Sequence, residues 1–228
     1  MKGKLIVIDG NDGSGKATQV GLLLKYLKKQ KKKTSFIDFP RYYTSFHGRV
    51  VARYLRGDFG GVNEVNPYLA SLTYALDRLS AKPDLDKWIA SGKIVVANRY
   101  VSSNMAYQAA KLPAGKRPAF LRWLSHMEYG IHKLPKEDVV IYLHVPVDVG
   151  QELISRKKAR KYLAGKARDI HEDLVSYQTT AEQMYLKLCR ANPHWIKIEC
   201  MGKDGKLRGL LDIHEQIVEL LKERKILK

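Results

Sequence analysis

Leu5-Ile6-Val7-Ile8-Asp9-Gly10-Asn11-Asp12-Gly13-Ser14-Gly15-Lys16-Ala17-Thr18 is the stretch on which the reading of this chain turns. The apolar run Leu5–Ile8 has the composition of a buried strand, and the glycines that follow permit a tight loop. Behind the loop, Val20, Leu23, Leu24 and Leu27 recur at helical spacing. Backbone N–H groups in such a loop point inward and cradle phosphate oxygens, while the helix N-terminus adds positive potential. Lys16 can then reach the outer phosphates of a nucleotide. The expected nucleotide-phosphate site is therefore Gly10, Asn11, Asp12, Gly13, Ser14, Gly15, Lys16, Ala17 and Thr18. Ala17 stands where Ser or Thr usually places a hydroxyl on Mg²⁺, and Thr18 comes one position later.

Outward from the loop, strand-like runs at 4–9, 34–39, 93–98, 138–145 and 195–199 alternate with helical stretches. That alternation predicts an α/β fold with a five-stranded parallel sheet covered by helices on both faces. Asn66-Pro67 reads as a helix start leading into Tyr68–Ser80. Phe120, Leu121, Leu124, Met127 and Ile131 mark another amphipathic helix, with Arg122 and Glu128 on its wetter side. The stretch Arg156–Asp169 is dense in Lys and Arg between two helical segments, and reads as a mobile basic lid at approximately 156–170, with a plain solvated helix-to-helix connection as the competing reading. No repeat or linker divides the chain, so one domain over 1–228 is expected.

Composition narrows the function classes. With 45% apolar residues the chain can bury a core, which excludes global disorder. Cys189 and Cys200 form no metal spacing and fit a reducing, cytoplasmic setting. The N-terminal apolar run is too short for a signal peptide or a membrane span. The seven histidines are scattered without a metal cluster. A net charge of +18 admits nucleic-acid binding or a cationic surface serving an anionic small substrate. Much of it sits in Lys28, Lys29, Lys31, Lys32 and Lys33 at the end of the first helix, where it complements the helix dipole. The small-substrate reading is preferred, with no specific nucleic acid expected.

Ligands of open parallel sheets bind at the carboxyl ends of strands. The second such end carries Phe39-Pro40-Arg41-Tyr42, and the third Asn98-Arg99-Tyr100 followed by Ser102, Ser103, Asn104 and Tyr107. The fifth strand runs into Cys200–Lys206, where a second nucleotide face could lie. Tyr74 and Arg78 lie one helical turn apart and share a face, so the pair can stack on a base and hydrogen-bond its edge. Core packing for Tyr74 and a surface ion pair for Arg78 is the competing reading.

Taken in order, these motifs resemble the thymidylate kinase family of P-loop kinases over essentially the whole chain. The loop with Asp12 is similar to that family's Gly-x-Asp-Gly-x-Gly-Lys segment, and Phe39-Pro40-Arg41 to its Phe-Pro-Arg segment. Tyr74 and Arg78 match its aromatic-x3-Arg pair, and Asn98-Arg99-Tyr100 its Asp-Arg-Tyr segment. Asp169 and Glu172 resemble the end of its lid.

The resemblance implies a P-loop NTPase three-layer fold and transfer of the ATP γ-phosphoryl group to dTMP with Mg²⁺, in a homodimer. It implies that Tyr74 stacks on thymine, Arg78 donates to its exocyclic carbonyl and Asn104 reads its polar edge. Tyr107 would disfavour a 2′-hydroxyl, and Arg41 and Arg99 would hold the acceptor phosphate. Asp12 would face the sugar hydroxyl and a hydrated Mg²⁺. Phe39, Tyr42, Ser103 and Asp169 complete the implied substrate set, and Lys16, Arg99 and Asp12 with Arg156, Arg160 and Arg168 the catalytic one. Asn98 departs from the family's usual Asp, so with Ala17 the Mg²⁺ would keep several waters, with Thr18, Asp9, Asp12 and Asp169 as outer partners. Two alternatives stand: a kinase for another deoxynucleoside monophosphate or a deoxynucleoside, with Asp9 as its base, and a nucleic-acid-binding ATPase.

Overall fold

The computed structural model describes residues 2–155, 170–171 and 175–227. The expected lid arginines Arg156, Arg160 and Arg168, together with Asp169 and Glu172, lie outside the described residues. Five strands form one parallel sheet: β1 (Lys4–Gly10), β2 (Thr34–Asp38), β3 (Ile94–Asn98), β4 (Val139–His144) and β5 (Trp195–Glu199). Their order is β2-β3-β1-β4-β5, which puts the first strand in the middle. Leu5, Ile6, Val7 and Ile8 are all fully buried, because β1 has helices on both its faces.

Leu5 and Val7 pack with α3 (Pro67–Ala90), α4 (Val101–Ala110), α5 (Arg117–Ser125) and α7 (Val175–Ala191). Ile6 and Ile8 pack with α1 (Lys16–Lys29) and α8 (Leu210–Glu223). A third cluster joins α2 (Phe46–Leu55) to α3 through Val51, Tyr54, Leu55 and Ala70. The Asn66 side chain caps α3 by accepting from the Tyr68 N–H at 2.9 Å, with Pro67 in the first turn. The helix then runs on to Ala90, beyond the expected Ser80 and through Pro83. No helix among the described residues is long and apolar enough to cross a membrane.

The amphipathic helix read around Phe120–Ile131 needs correction. α5 stops at Ser125, and a π-helical turn spans His126–Ile131. A π turn holds more residues than an α turn, so it rotates the faces that follow. Phe120, Leu124 and Met127 stay in the core, but Ile131 is 64% exposed and Glu128 is fully buried. That is the reverse of what helical spacing predicts for the last two positions.

Two contacts lock the sheet's carboxyl edge. Gly13, with φ 85°, packs so tightly on α6 (Val147–Ser155) that a Cβ there would lie 2.3 Å from the Gly150 carbonyl oxygen. His144 at the end of β4 sits between two carboxylates, with Nε2 2.8 Å from Glu182 of α7 and Nδ1 2.9 Å from Glu199 of β5. Glu182, and then Glu199, hold the imidazole above its ordinary value of 6.5 against the opposing effect of burial.

A raised folded value means that the His144 proton stabilises the fold below pH 6.5, and that this contribution is lost as pH rises through the folded value. The melting temperature of the wild type, relative to His144→Gln, should therefore fall as pH rises from about 6 to about 8.5. Circular-dichroism melts of both proteins across that range check it, and parallel curves would remove His144 from the account. For the loop, Gly13→Ala should weaken ATP roughly tenfold or more through backbone strain and the Gly150 clash. Calorimetric titration measures this, and unchanged affinity would place the nucleotide elsewhere.

Candidate active site

β1 delivers Asp9 into the interior, where its carboxylate accepts from the Gly10 N–H, the Ser103 hydroxyl and the Tyr185 hydroxyl, each at 2.8 Å. Ser102 donates a further hydrogen bond, and the Arg99 guanidinium lies 3.6 Å away. Asp9 is thus taken up by the scaffold, and the role considered for it as a base or an outer metal partner has no free lone pair to use.

The loop that follows closes on Lys16, whose ammonium donates to the Gly10 and Asn11 carbonyls at 3.0 and 2.7 Å. Asp12 stands 3.9 Å from that ammonium. Gly15, with φ 82°, begins α1. Asn11 and Ser14 are buried with side-chain polar atoms that have no protein partner, in a loop shaped for phosphate oxygens. Ala17 and Thr18 are exposed in the first turn of α1.

Arg99 arrives from the end of β3 with a left-handed backbone, φ 62°. A non-glycine residue there costs about 1 kcal/mol or more and persists where its surroundings hold it. Here they do. Nη2 donates to Asp12 at 2.5 Å, and Nη1 to the Ser103 hydroxyl at 3.1 Å and the Gly10 carbonyl at 3.3 Å. The guanidinium also lies 5.4 Å from the centre of the Tyr107 ring, whose hydroxyl reaches Asp12 at 3.5 Å. Asp12 and Lys16 of the phosphate loop are thus brought together with Arg99, Ser103 and Tyr107 of the run from the end of β3 into α4.

Arg41 is anchored on α3. Its Nε lies 3.2 Å from the buried Asp77 carboxylate on α3, its own N–H donates to that carboxylate at 2.8 Å, and Nη2 binds the Asp77 carbonyl and the Ser80 hydroxyl. Sequence reasoning missed Asp77, although it sits immediately before Arg78 in a buried stretch of α3. Phe39 is core, tilted against Tyr100 at 5.8 Å, and Tyr42 is half-buried beside Tyr43. At the neighbouring strand ends, Asn98 Nδ2 donates to Asp38 at 2.8 Å, while Asn98 Oδ1 is buried without a partner. Desolvation raises Asp38 above the ordinary carboxylate value, against the pull of Asn98, Arg99 and Lys16.

On the other side, Tyr74 stands edge-on to Tyr54 with ring centres 6.2 Å apart. Arg78 is buried, so the surface-ion-pair reading fails. It pairs with buried Glu128 through Nε at 3.2 Å and through Nη2. Asn104 Nδ2 donates to the Ser71 carbonyl at 3.2 Å and lies 3.4 Å from Glu128. Tyr107 stacks on His171 with ring centres 5.5 Å apart, and His171 Nε2 is 3.1 Å from the Tyr54 hydroxyl, which Lys111 also reaches. Burial lowers His171 to about 3, and so keeps it neutral, and brings Lys111 down to about 7. The only sequence signal for His171 was its place just after Asp169.

Among the described residues, no three His, Cys, Asp or Glu side chains form a metal cluster. What the arrangement offers is a glycine-lined anion cradle, flanking cations and a separate cluster of aromatic rings beside buried polar groups.

Comparison with known proteins identifies the family of the chain. The family model described as thymidylate kinase matches residues 8–204. A thymidylate kinase of Mycobacterium tuberculosis is 31% identical over 212 residues, covering 91% of this chain and 96% of that one. One from Plasmodium falciparum is 28% identical over 227 residues, covering 99% and 92%. The solved structure of thymidylate kinase from Candida albicans superposes with a TM-score of 0.75 at 21% identity, covering 99% of this chain and 93% of that one, which supports the fold. With the model match spanning most of its length, the chain belongs to the thymidylate kinase family.

Proposed function

We propose that this chain moves the γ-phosphoryl group of ATP onto dTMP, giving dTDP and ADP, with the residues of the cleft dividing the work as follows. The observation that carries the reading is the cluster of Lys16, Asp12 and Arg99 at the carboxyl ends of β1 and β3. Lys16 and the loop N–H groups bind the donor phosphates. Arg99 binds the acceptor phosphate, joined by Arg41, which Asp77 and Ser80 hold in place. A phosphate monoester has a second pKa of about 6 and is already a nucleophile near neutrality, so no general base is required. Asp9, with its lone pairs engaged, fits that scheme better than deprotonation of a nucleoside hydroxyl. Alignment and charge neutralisation are what remains to be supplied.

Tyr74 provides the stacking surface for the base, Arg78 and Asn104 read its edge, and Tyr107 closes on the sugar beside Asp12. The transition-state role expected of Arg156, Arg160 and Arg168 rests on sequence alone. The residues present fit a hydrated Mg²⁺: the orphaned Asn98 Oδ1, the Asp38 carboxylate and Asp12 offer oxygen acceptors to its waters. When bound, the ion neutralises charge on the transferring phosphate. On the surface of α3, Leu69 is 62% exposed and Leu72 and Leu76 each 36%, a stripe suited to the expected homodimer contact. Cys189 and Cys200 are free thiols, which suits the cytoplasm.

A coupled ADP-release assay across dTMP, dUMP, dCMP, dGMP, AMP and thymidine should show dTMP preferred, with thymidine inert. Lys16→Ala and Arg99→Ala should each lower turnover roughly a thousandfold or more. Near-normal rates in either variant would remove that residue from its role. Sedimentation velocity should find a dimer that Leu72→Glu with Leu76→Glu converts to monomer, and an unchanged sedimentation coefficient would move the interface off α3.

A further inference from the structure

The buried acid Glu128 has no part in phosphoryl transfer as described above, yet it touches both groups assigned to the base. Arg78 is 2% exposed and Glu128 fully buried, so each needs the other's charge. Glu128 takes two guanidinium N–H groups, at Nε (3.2 Å) and at Nη2, while Nη1 reaches the Tyr100 carbonyl at 3.4 Å. Its Oε1 also lies 3.4 Å from Asn104 Nδ2, whose other acceptor is the Ser71 carbonyl at 3.2 Å.

Neither of those neighbours of Asn104 carries a hydrogen. A carboxylate beside a guanidinium and a backbone carbonyl can only accept, so the amide must turn its NH₂ toward them. Its Oδ1 is thereby left buried, with no protein partner. A buried carbonyl oxygen in that condition favours a ligand that brings an N–H donor. Arg78, with donors only, favours a ligand that brings an acceptor beside it. Thymine and uracil present that order along one edge, N3–H next to O4. Cytosine presents the opposite, an N3 acceptor next to an amine.

Building on the dTMP reading given above, we propose that Glu128 is a positioning residue for base choice. It holds the guanidinium of Arg78 in plane and fixes the polarity of the Asn104 amide, so that the pocket accepts a pyrimidine imide edge and opposes cytosine. The π-helical turn His126–Ile131 is what swings this acid inward. Without the carboxylate, the guanidinium loses its bracket and the amide one of its two acceptors, and both can reorient.

The test is kcat/KM for dTMP, dUMP and dCMP, with the KM for ATP, in the wild type, Glu128→Gln and Glu128→Asp. Glu128→Gln should cut the dTMP-to-dCMP preference at least about tenfold, leaving the dTMP-to-dUMP ratio and the ATP KM unchanged, because thymine and uracil share the same edge. Glu128→Asp keeps a carboxylate near Arg78 but withdraws it from Asn104, and should give a smaller loss in the same direction. Should Glu128→Gln fail to fold, Glu128→Asp carries the comparison by itself. A folded variant that loses rate equally on all three acceptors, with ratios intact, would show a merely structural pair and overturn the proposal. A wild type with no preference for dTMP over dCMP would instead overturn the reading on which it rests.

Discussion

The Asp9 carboxylate is the constraint from which the rest of the cleft follows. A buried charge survives only when its lone pairs are filled and an opposite charge stands near. Asp9 meets that demand with hydroxyls from α4 and α7, one backbone N–H from the loop and the Arg99 guanidinium at 3.6 Å. The donors come from four parts of the chain. Meeting one electrostatic requirement therefore brings together the phosphate loop, the end of β3, the start of α4 and the middle of α7. Arg99 carries the linkage outward, since the side chain near Asp9 also binds Asp12, at the rim where a substrate would lie.

In the proposed assignment the two ends of the cleft work by different physics. At the proposed phosphate end Lys16 is buried while Asp12, Arg41 and Arg99 keep partial exposure, and an anion there would be met by several cations together. At the base end, Arg78, Glu128 and Asn104 are all buried, and a small number of hydrogen bonds has to be right. Low local dielectric strengthens such a network when it is complete and penalises any unpaired member. Substitutions at the phosphate end should therefore act mainly on rate, and those at the base end on which acceptor is chosen. The lysines from Lys28 to Lys33 belong to neither end, for Lys28 and Lys29 lie in the last turn of α1.

Much of this was legible before any coordinates. Parallel strands buried on both faces write themselves as unbroken apolar runs, and glycine with lysine marks the loop that follows. Asn66 and Pro67 marked the start of α3 for the same local reasons. The residues of the loop, β3 and α4 converged because the sheet delivers strand ends to one edge. What escaped notice were polar partners that only the tertiary fold supplies: buried Asp77 beneath Arg41, exposed Asp38 beside Asn98, buried Glu128 behind Arg78, and buried His171 against Tyr107. A charged residue within an apolar pattern is normally turned outward, and only a tertiary partner reverses that expectation. For Glu128 the local geometry misleads as well, because a π turn breaks the helical spacing on which the reading depends.

The central place of β1 also sets an order of assembly. Its hydrogen-bonding neighbours come late in translation: Lys4 pairs with Ile94, and Ile6 with Val139. At ribosomal speed, on the order of ten seconds separates the first strand from its last partner. Until β3 has been made Leu5–Ile8 has no strand to pair with, and until β4 has been made it keeps one unpaired edge. The phosphate loop depends likewise on distant anchors, because donors to Asp9 and Asp12 come from Arg99, Ser103 and Tyr185.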